Sequence, residues 1–142
     1  MSEENKALAR DSWERIVNQR DLDAIEETYA PDFVWHEPDQ DIRGYEQGRQ
    51  FASTFFDAFP DINITVEDAI AEGDQVATRY TIRGTHRGET EEFGSPTERQ
   101  MELEGITIHR IEGGKIAEEW ERYDNLSVMQ QLGLVPEQQV GS

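Results

Sequence analysis

The sequence predicts a single α+β domain in which helices at the N-terminus pack on a curved, mostly antiparallel sheet. A chain of 142 residues suits one domain with a real core and is too short for two. Apolar residues recur at helical spacing up to residue 59, and from residue 62 onward their period becomes two. We therefore expect three helices and a sheet that together form a cone with a pocket at one end. The domain spans residues 1–142, of which 136–142 are expected to be a loose tail.

Two short helices open the fold. The first carries apolar residues at helical spacing, namely Leu8, Ala9, Trp13, Ile16 and Val17. Asp21 can cap a second helix that bears Leu22, Ile25 and Tyr29. Pro31 ends that helix because proline cannot continue the helical hydrogen bonding. The next stretch, DFVWHEP from Asp32 to Pro38, is predicted to be a strand.

A third helix is predicted from Tyr45 to Phe59, after a loop with the sequence DQDIRG. One broad face of this helix carries four phenylalanines, Phe51, Phe55, Phe56 and Phe59, so the helix is expected to pack heavily. Pro60 then stops it.

Four antiparallel strands follow. The first two flank a hairpin turn at EGDQ, residues 72–75, and the last two flank a turn at residues 112–114. A polar loop from Gly88 to Gln100 separates the two pairs and is expected at the pocket rim. Within the strand that starts at Met101, the apolar phase changes near Gly105, which predicts a β-bulge and a bend there. Asp124 is predicted to cap a final helix.

The charge of the chain excludes two classes of partner. Thirteen basic against thirty-one acidic residues give a net charge of -18, which repels nucleic-acid backbones and anionic membrane surfaces. Lys6 and Lys115 are the only lysines. Many carboxylates with few lysines favour a surface kept hydrated in concentrated salt, so we expect a halophilic source; an ordinary acidic mesophile protein is the alternative.

The chain offers no thiol chemistry, because it contains no cysteine. Its N-terminus lacks the apolar core of a signal peptide, and no apolar run approaches the length of a membrane span, so a cytoplasmic location is expected. The spacing of the three histidines and the carboxylates matches no metal motif, and we predict no metal.

Candidate site residues follow from strand alternation. If DFVWHEP is a strand, Phe33, Trp35 and Glu37 share one face, and burial beside aromatic rings would raise the pKa of Glu37 and make it a better base at neutral pH. On the last strand, Glu121 and Tyr123 share a face, and the tyrosine can donate a hydrogen bond.

The penultimate strand adds further candidates. His109 shares the phase of Thr107 and is the histidine best placed to reach a cavity, where a dyad with Glu121 is a hypothesis. The predicted catalytic residues are thus Glu121, Glu37 and His109. The predicted substrate-binding residues are Phe33, Trp35, Thr107, Tyr123, Trp13 and Phe55.

Four stretches together, DLDAIEETYAPDFVWHEP, GTHRGE, RIEGGKIAEEWERYD and QQLG, resemble the SnoaL-like polyketide cyclases of the NTF2-like superfamily. The resemblance covers residues 5–133 and implies a cone-shaped fold with an internal pocket and a homodimer formed through the sheet. It also implies an intramolecular aldol ring closure of polyketide esters without a cofactor. In that family a histidine on the penultimate strand and an aspartate on the last strand perform the acid–base work, and the corresponding positions here are Thr107 and Glu121.

A second, more distant similarity concerns the ketosteroid isomerases of the same superfamily. Their general base precedes a proline at the end of the first strand, and Glu37 before Pro38 occupies a similar place. Trp13 stands where those enzymes use a tyrosine of the first helix.

Three functions stay open at this point. The first is cofactor-independent acid–base chemistry (cyclisation, isomerisation or hydrolysis) on a small hydrophobic carbonyl compound or ester. The second is a small-molecule-binding module with the same pocket and no turnover. The third is a dimeric interaction protein whose cavity is filled by its own phenylalanines.

Overall fold

Six strands form one curved, unclosed sheet in the computed structural model, which describes residues 2–135. They are β1 (Tyr29–His36), β2 (Asp41–Arg43), β3 (Asn63–Glu72), β4 (Gln75–Thr85), β5 (Gln100–Glu112) and β6 (Lys115–Tyr123). Their order across the sheet is β2-β1-β6-β5-β4-β3, and only the β1–β6 pair is parallel among the described residues. The tail predicted at 136–142 lies outside the described residues.

Four α-helices pack on this sheet. They are α1 (Ser2–Trp13), which continues into a π-helical turn (Glu14–Asn18), α2 (Ala24–Thr28), α3 (Gly44–Ala58) and α4 (Asn125–Gln131). The bounds of α3 match the prediction within one residue at each end. The predicted cap of α4 is also confirmed, because a carboxylate oxygen of Asp124 accepts a hydrogen bond from the Ser127 backbone N–H at 3.0 Å. The α+β class predicted from the sequence is therefore the observed one.

The junction between α2 and β1 differs from the prediction. The helix ends at Thr28, so Tyr29 and Pro31 belong to β1. Pro31 is tolerated in the strand because it lies where the β1–β6 register shifts, between the pairs Tyr29–Ile116 and Val34–Glu118. Part of the predicted DQDIRG loop also forms β2, which pairs with the end of β1.

The bulge predicted at Gly105 is wrong. The β4–β5 register runs without interruption from the Gln75–Arg110 pair to the Thr85–Gln100 pair. Alternate residues of β5 are buried on the helix-covered face throughout: Met101, Leu103, Gly105, Thr107, His109 and Ile111. The apparent change of phase arises because Ile106 and Ile108 lie on the opposite face, where they are 49% and 39% exposed. Apolar residues thus occupy both faces of this strand.

Gly105 instead makes room for a neighbouring ring. It pairs with Tyr80 of β4 and with Tyr123 of β6. A Cβ atom at position 105 would lie 2.5 Å from the Tyr80 hydroxyl oxygen and 2.6 Å from Cζ of the same ring. The missing side chain therefore lets Tyr80 lie across β5 and reach β6.

Replacing Gly105 with alanine should destabilise the protein by about 1–3 kcal/mol, because the new methyl group overpacks against the Tyr80 ring. Urea unfolding measures this loss. In a Tyr80→Ala background the same substitution should be far less harmful, since the ring that it meets is gone. Equal losses of stability in the two backgrounds would show that the contact with Tyr80 is not the reason why position 105 requires a glycine.

Candidate active site

Two neighbouring cavities share part of their walls; α3 lines both, and α1 lines only the smaller one. The inner chamber has a volume of about 120 Å³ and the outer chamber about 550 Å³. Phe51, Phe55 and Tyr123 line both, so these residues form the wall that the two chambers share. The outer chamber is bounded by the loop after β1, by α3 and by Glu92 and Phe93 of the loop that follows β4. The fold thus places the larger outer chamber next to a smaller inner chamber that is lined mainly by core residues.

Three carboxyl groups line the inner chamber. Glu37 follows the last residue of β1, while Glu119 and Glu121 are alternate residues of β6. Strand alternation turns both β6 carboxyl groups inward, and Trp35 of β1 is the cross-strand partner of Glu119. Among described residues that line either chamber there is no lysine or arginine. The carboxyl groups are therefore not neutralised by basic residues of the walls.

The side chain of Glu121 accepts hydrogen bonds from two buried hydroxyl groups. Its Oε2 accepts hydrogen bonds from the Thr107 hydroxyl at 2.8 Å and from the Tyr80 hydroxyl at 3.2 Å. Burial raises the pKa of Glu121 well above the ordinary glutamate value, and the negative charges of Glu37 and Glu119 raise it further. Burial and these two neighbouring charges favour the protonated form of Glu121, which can donate a proton.

Glu37 has a different environment. It is half-buried, and its Oε1 accepts a hydrogen bond from the Tyr123 hydroxyl at 3.2 Å. Burial raises the pKa of Glu37 to about 8, the charge of Glu119 adds to the rise, and the bond from Tyr123 opposes it. A carboxylate with this pKa is a far stronger base than an exposed glutamate and still ionises near neutral pH.

Glu119 is held by a chain of buried polar groups behind the chamber. His109 Nδ1 lies 2.7 Å from Glu119 Oε1, and the Tyr29 hydroxyl donates to the same oxygen. On the other side of the ring, His109 Nε2 lies 2.9 Å from the hydroxyl of Thr78, which also accepts from the indole of Trp13 at 3.1 Å. With the Thr78 hydroxyl donating to Nε2, the imidazole donates from Nδ1 to Glu119.

The structure brings together most of the residues predicted from the sequence. Those that line the inner chamber are Trp13, Trp35, Glu37, Phe55, Glu121 and Tyr123. Thr107 lies behind Glu121 as its hydrogen-bond donor. His109 pairs with Glu119 rather than with Glu121, and it is not among the lining residues. Phe33 lies in the core against Trp35, at a ring distance of 4.8 Å, and lines neither chamber.

Glu119 and Tyr80 are site residues that the sequence interpretation missed. Glu119 shares the strand phase of Glu121, so the alternation that selected one carboxyl group also indicates the other. Tyr80 lies on the inward phase of β4, where it looks like an ordinary core residue. The signal that separates it from the core is Gly105, its cross-strand partner.

Neither a metal site nor a membrane span is found in the described part of the chain. Residues 2–135 include no group of three or more histidine, cysteine, aspartate or glutamate side chains placed to hold a metal ion. None of the helices within those residues is long and apolar enough to cross a membrane.

Comparison with solved structures identifies similar folds. AclR from Streptomyces galilaeus, a proposed hydroxylase, is 27% identical with a TM-score of 0.85, and the match covers 99% of this chain and 87% of that one. IdmH from Streptomyces antibioticus, a proposed polyketide cyclase, is 32% identical with a TM-score of 0.78, covering 91% and 98%. A SnoaL-like protein from Jannaschia is 22% identical with a TM-score of 0.81, covering 96% of both chains, and supports the fold alone.

Comparison with protein families assigns the chain to a family. No curated protein sequence matches the chain. The family profile of the SnoaL-like polyketide cyclases matches residues 7–132, which is nearly the whole of the described chain. The protein therefore belongs to the SnoaL-like polyketide cyclase family and has the NTF2-like fold.

Proposed function

We propose that this protein is a cofactor-independent acid–base catalyst that removes a proton from the carbon next to a carbonyl group. The observation that carries the proposal is the pair of carboxyl groups in one chamber whose surroundings favour different protonation states. Glu37, whose pKa burial raises to about 8, is the base. Glu121, which is almost fully buried and whose pKa burial raises well above the ordinary glutamate value, is the acid. Family resemblance supports this assignment, because it implies that Glu121 corresponds to the catalytic carboxylate of the cyclases.

The reaction can be written with these two groups alone. The Glu37 carboxylate takes a proton from the carbon, the C–H electron pair forms a C=C bond, and the carbonyl electron pair moves to the oxygen. The Glu121 carboxylic acid donates a hydrogen bond to a developing negative charge on oxygen. In an aldol-type ring closure, the enolate carbon attacks a second carbonyl and the proton of Glu121 passes to the new alkoxide.

The walls of the chambers define the substrate class. Because no basic side chain lines either chamber in the described residues, a free carboxylate or phosphate would meet only acidic or neutral groups. An uncharged ketone or ester has no such repulsion. Aromatic rings of Trp13, Phe51 and Phe55 supply an apolar surface for its carbon skeleton. We infer a small, hydrophobic, neutral carbonyl compound, and IdmH as a proposed polyketide cyclase is consistent with it.

A second candidate function is a binding module without turnover. One observation favours it: Thr107 occupies the position of the family's histidine and is fully buried behind Glu121. In that case the carboxyl groups would stay protonated and would serve as hydrogen-bond donors to a bound ligand.

We also propose a homodimer formed through the outer face of the sheet. An apolar row crosses four strands there through the cross-strand pairs Ile70–Ala77, Ala77–Ile108 and Ile108–Trp120. Ile70 is 70% exposed. Arginines 79, 83 and 110 on the same face pair with Asp68, Glu102 and Glu118, which offsets three of its negative charges. A second copy of the chain can therefore approach it despite the net charge of -18.

Carboxyl NMR titration tests the protonation states directly. We expect one glutamate resonance to titrate with an apparent pKa of about 8 and to be absent in Glu37→Gln. The Glu121 resonance, assigned with Glu121→Gln, should titrate well above the ordinary pH range of a glutamate. In Glu37→Gln the pKa of Glu121 should fall, because a neutral amide replaces a neighbouring negative charge. Titration of both groups in the ordinary range of glutamate would contradict the proposal.

Exchange of ketone protons for deuterium tests the chemistry. The protein should catalyse this exchange for 2-tetralone in D₂O, followed by proton NMR. Because the ionised form of Glu37 is the base, the rate below pH 8 should rise about tenfold per pH unit and level off above it. Glu37→Gln should lower the rate about 10²–10⁴-fold.

Glu118→Gln is the matched control for that experiment, since it makes the same change on the outer face of β6 and should preserve the rate. Exchange that does not depend on Glu37 would refute its role as base. Binding of the ketone with no exchange would favour the binding module.

Sedimentation velocity tests the dimer. The wild-type protein should sediment as a dimer, and Ile108→Lys should give monomers, because a lysine in the centre of the apolar row would have to be desolvated. Leu126→Lys is the control: Leu126 is 55% exposed on α4, away from this face, and the variant should remain dimeric. A wild-type protein that sediments as a monomer would contradict the proposed homodimer.

A further inference from the structure

The indole N–H of Trp35 is a buried donor without an acceptor. Among the described residues, only Trp35 Nε1 and His86 Nε2 are buried side-chain nitrogens with no hydrogen-bond partner. Trp35 is only 7% exposed, and its side chain lines the inner chamber. Buried donors in proteins nearly always have a partner, so a donor that lacks one beside a cavity marks the place of a ligand acceptor.

Packing fixes the orientation of this indole. The benzo end of the ring lies over Gly48 of α3, where a Cβ atom would approach Cη2 to 3.3 Å. Rings of Phe33 and Tyr29 flank it at centroid distances of 4.8 and 5.3 Å. The donor is thus held in place before any ligand binds.

The neighbours of Trp35 are the acid–base groups. Glu37 lies two residues further along the chain on the same face, and Glu119 is the cross-strand partner of Trp35. Glu119 Oε1 is already occupied by the His109 and Tyr29 side chains, and Glu37 Oε1 by Tyr123. None of the carboxyl oxygens of these neighbours accepts a hydrogen bond from Trp35 Nε1, so the donor stays available to an incoming oxygen atom.

We propose that Trp35 Nε1–H donates a hydrogen bond to the substrate carbonyl oxygen and stabilises the enolate that forms when Glu37 takes the adjacent proton. This inference rests on the proposed function and adds a third catalytic residue to it. It also orients the substrate: the carbonyl oxygen lies toward Trp35 while the neighbouring C–H lies toward Glu37, so that both reach one wall of the inner chamber. Enols and phenols, which present the same oxygen, should bind as inhibitors.

NMR of the three indole N–H groups tests this contact without any turnover. The probe is 2-naphthol, which has the shape of the enol of 2-tetralone. In protein with ¹⁵N-labelled tryptophan, the Trp35 signal should move downfield as 2-naphthol saturates the site, whereas the Trp120 signal from the outer face should stay in place. Trp35→Phe and Trp120→Phe assign the two signals. If saturation with 2-naphthol shifts the Glu37 carboxyl resonance but not the Trp35 indole signal, the inference is overturned. The proposed function is not contradicted by that result.

Kinetics separate a catalytic donor from a wall of the pocket. In the exchange of 2-tetralone, Trp35→Phe should lower kcat about 10²-fold with little change in KM, because the lost donor acts mainly on the enolate. Trp120→Phe, the same substitution on the outer face, should retain both constants. A raised KM with unchanged kcat means that Trp35 only packs against the substrate, and overturns the inference. If the wild-type protein exchanges no protons, the proposed function fails, and the naphthol-induced shift alone decides whether Trp35 binds oxygen.

Discussion

The burial of three carboxyl groups in one chamber is the constraint on which the rest of the site depends. Charges so close together in a water-poor space repel one another, and no lysine or arginine among the described lining residues offsets them. The fold meets this constraint in two ways: some of the protons stay bound, and the oxygens receive hydrogen bonds. Glu121 has Thr107 and Tyr80, and Glu119 has Tyr29 and His109. Each donor lies on a different strand from the carboxyl group that it serves, so the site forms only when β1, β4, β5 and β6 have come together.

Two glycines, Gly105 and Gly48, make this arrangement possible. Tyr80 reaches Glu121 across β5 because Gly105 leaves the space that its ring occupies. Gly48 does the same on the helix side, where a Cβ atom would lie 2.8 Å from the Phe33 ring and would press on Trp35. The two glycines thus set the positions of an aromatic donor on each side of the chamber. Backbone flexibility does not explain either of them, since what matters is close approach of a neighbouring ring.

Much of this could be predicted from the sequence, and the errors have a common cause. Alternation alone placed Glu37 with Trp35 and Glu121 with Tyr123, and the structure puts all four on the inner chamber. The same rule gives a false bulge on β5, because the apolar Ile106 and Ile108 lie on the outer face rather than in the core. Pairing between distant strands could not be predicted from periodicity: the partner of His109 is Glu119 because β5 and β6 align them, and that register is set by the whole hairpin.

The acidity of the surface and the acidity of the chamber are separate properties. Exposed carboxylates repel one another through water, and salt screens them within about 10 Å at 0.1 M and about 3 Å at 1 M. The inner carboxyl groups interact through protein, where screening is weak and burial itself is the main cause of the raised pKa values of Glu37 and Glu121. Salt should therefore change the association of copies of this chain and leave the protonation of the chamber almost unchanged. The proton concentration, rather than the ionic strength, is the solution variable to which the chemistry of this site responds.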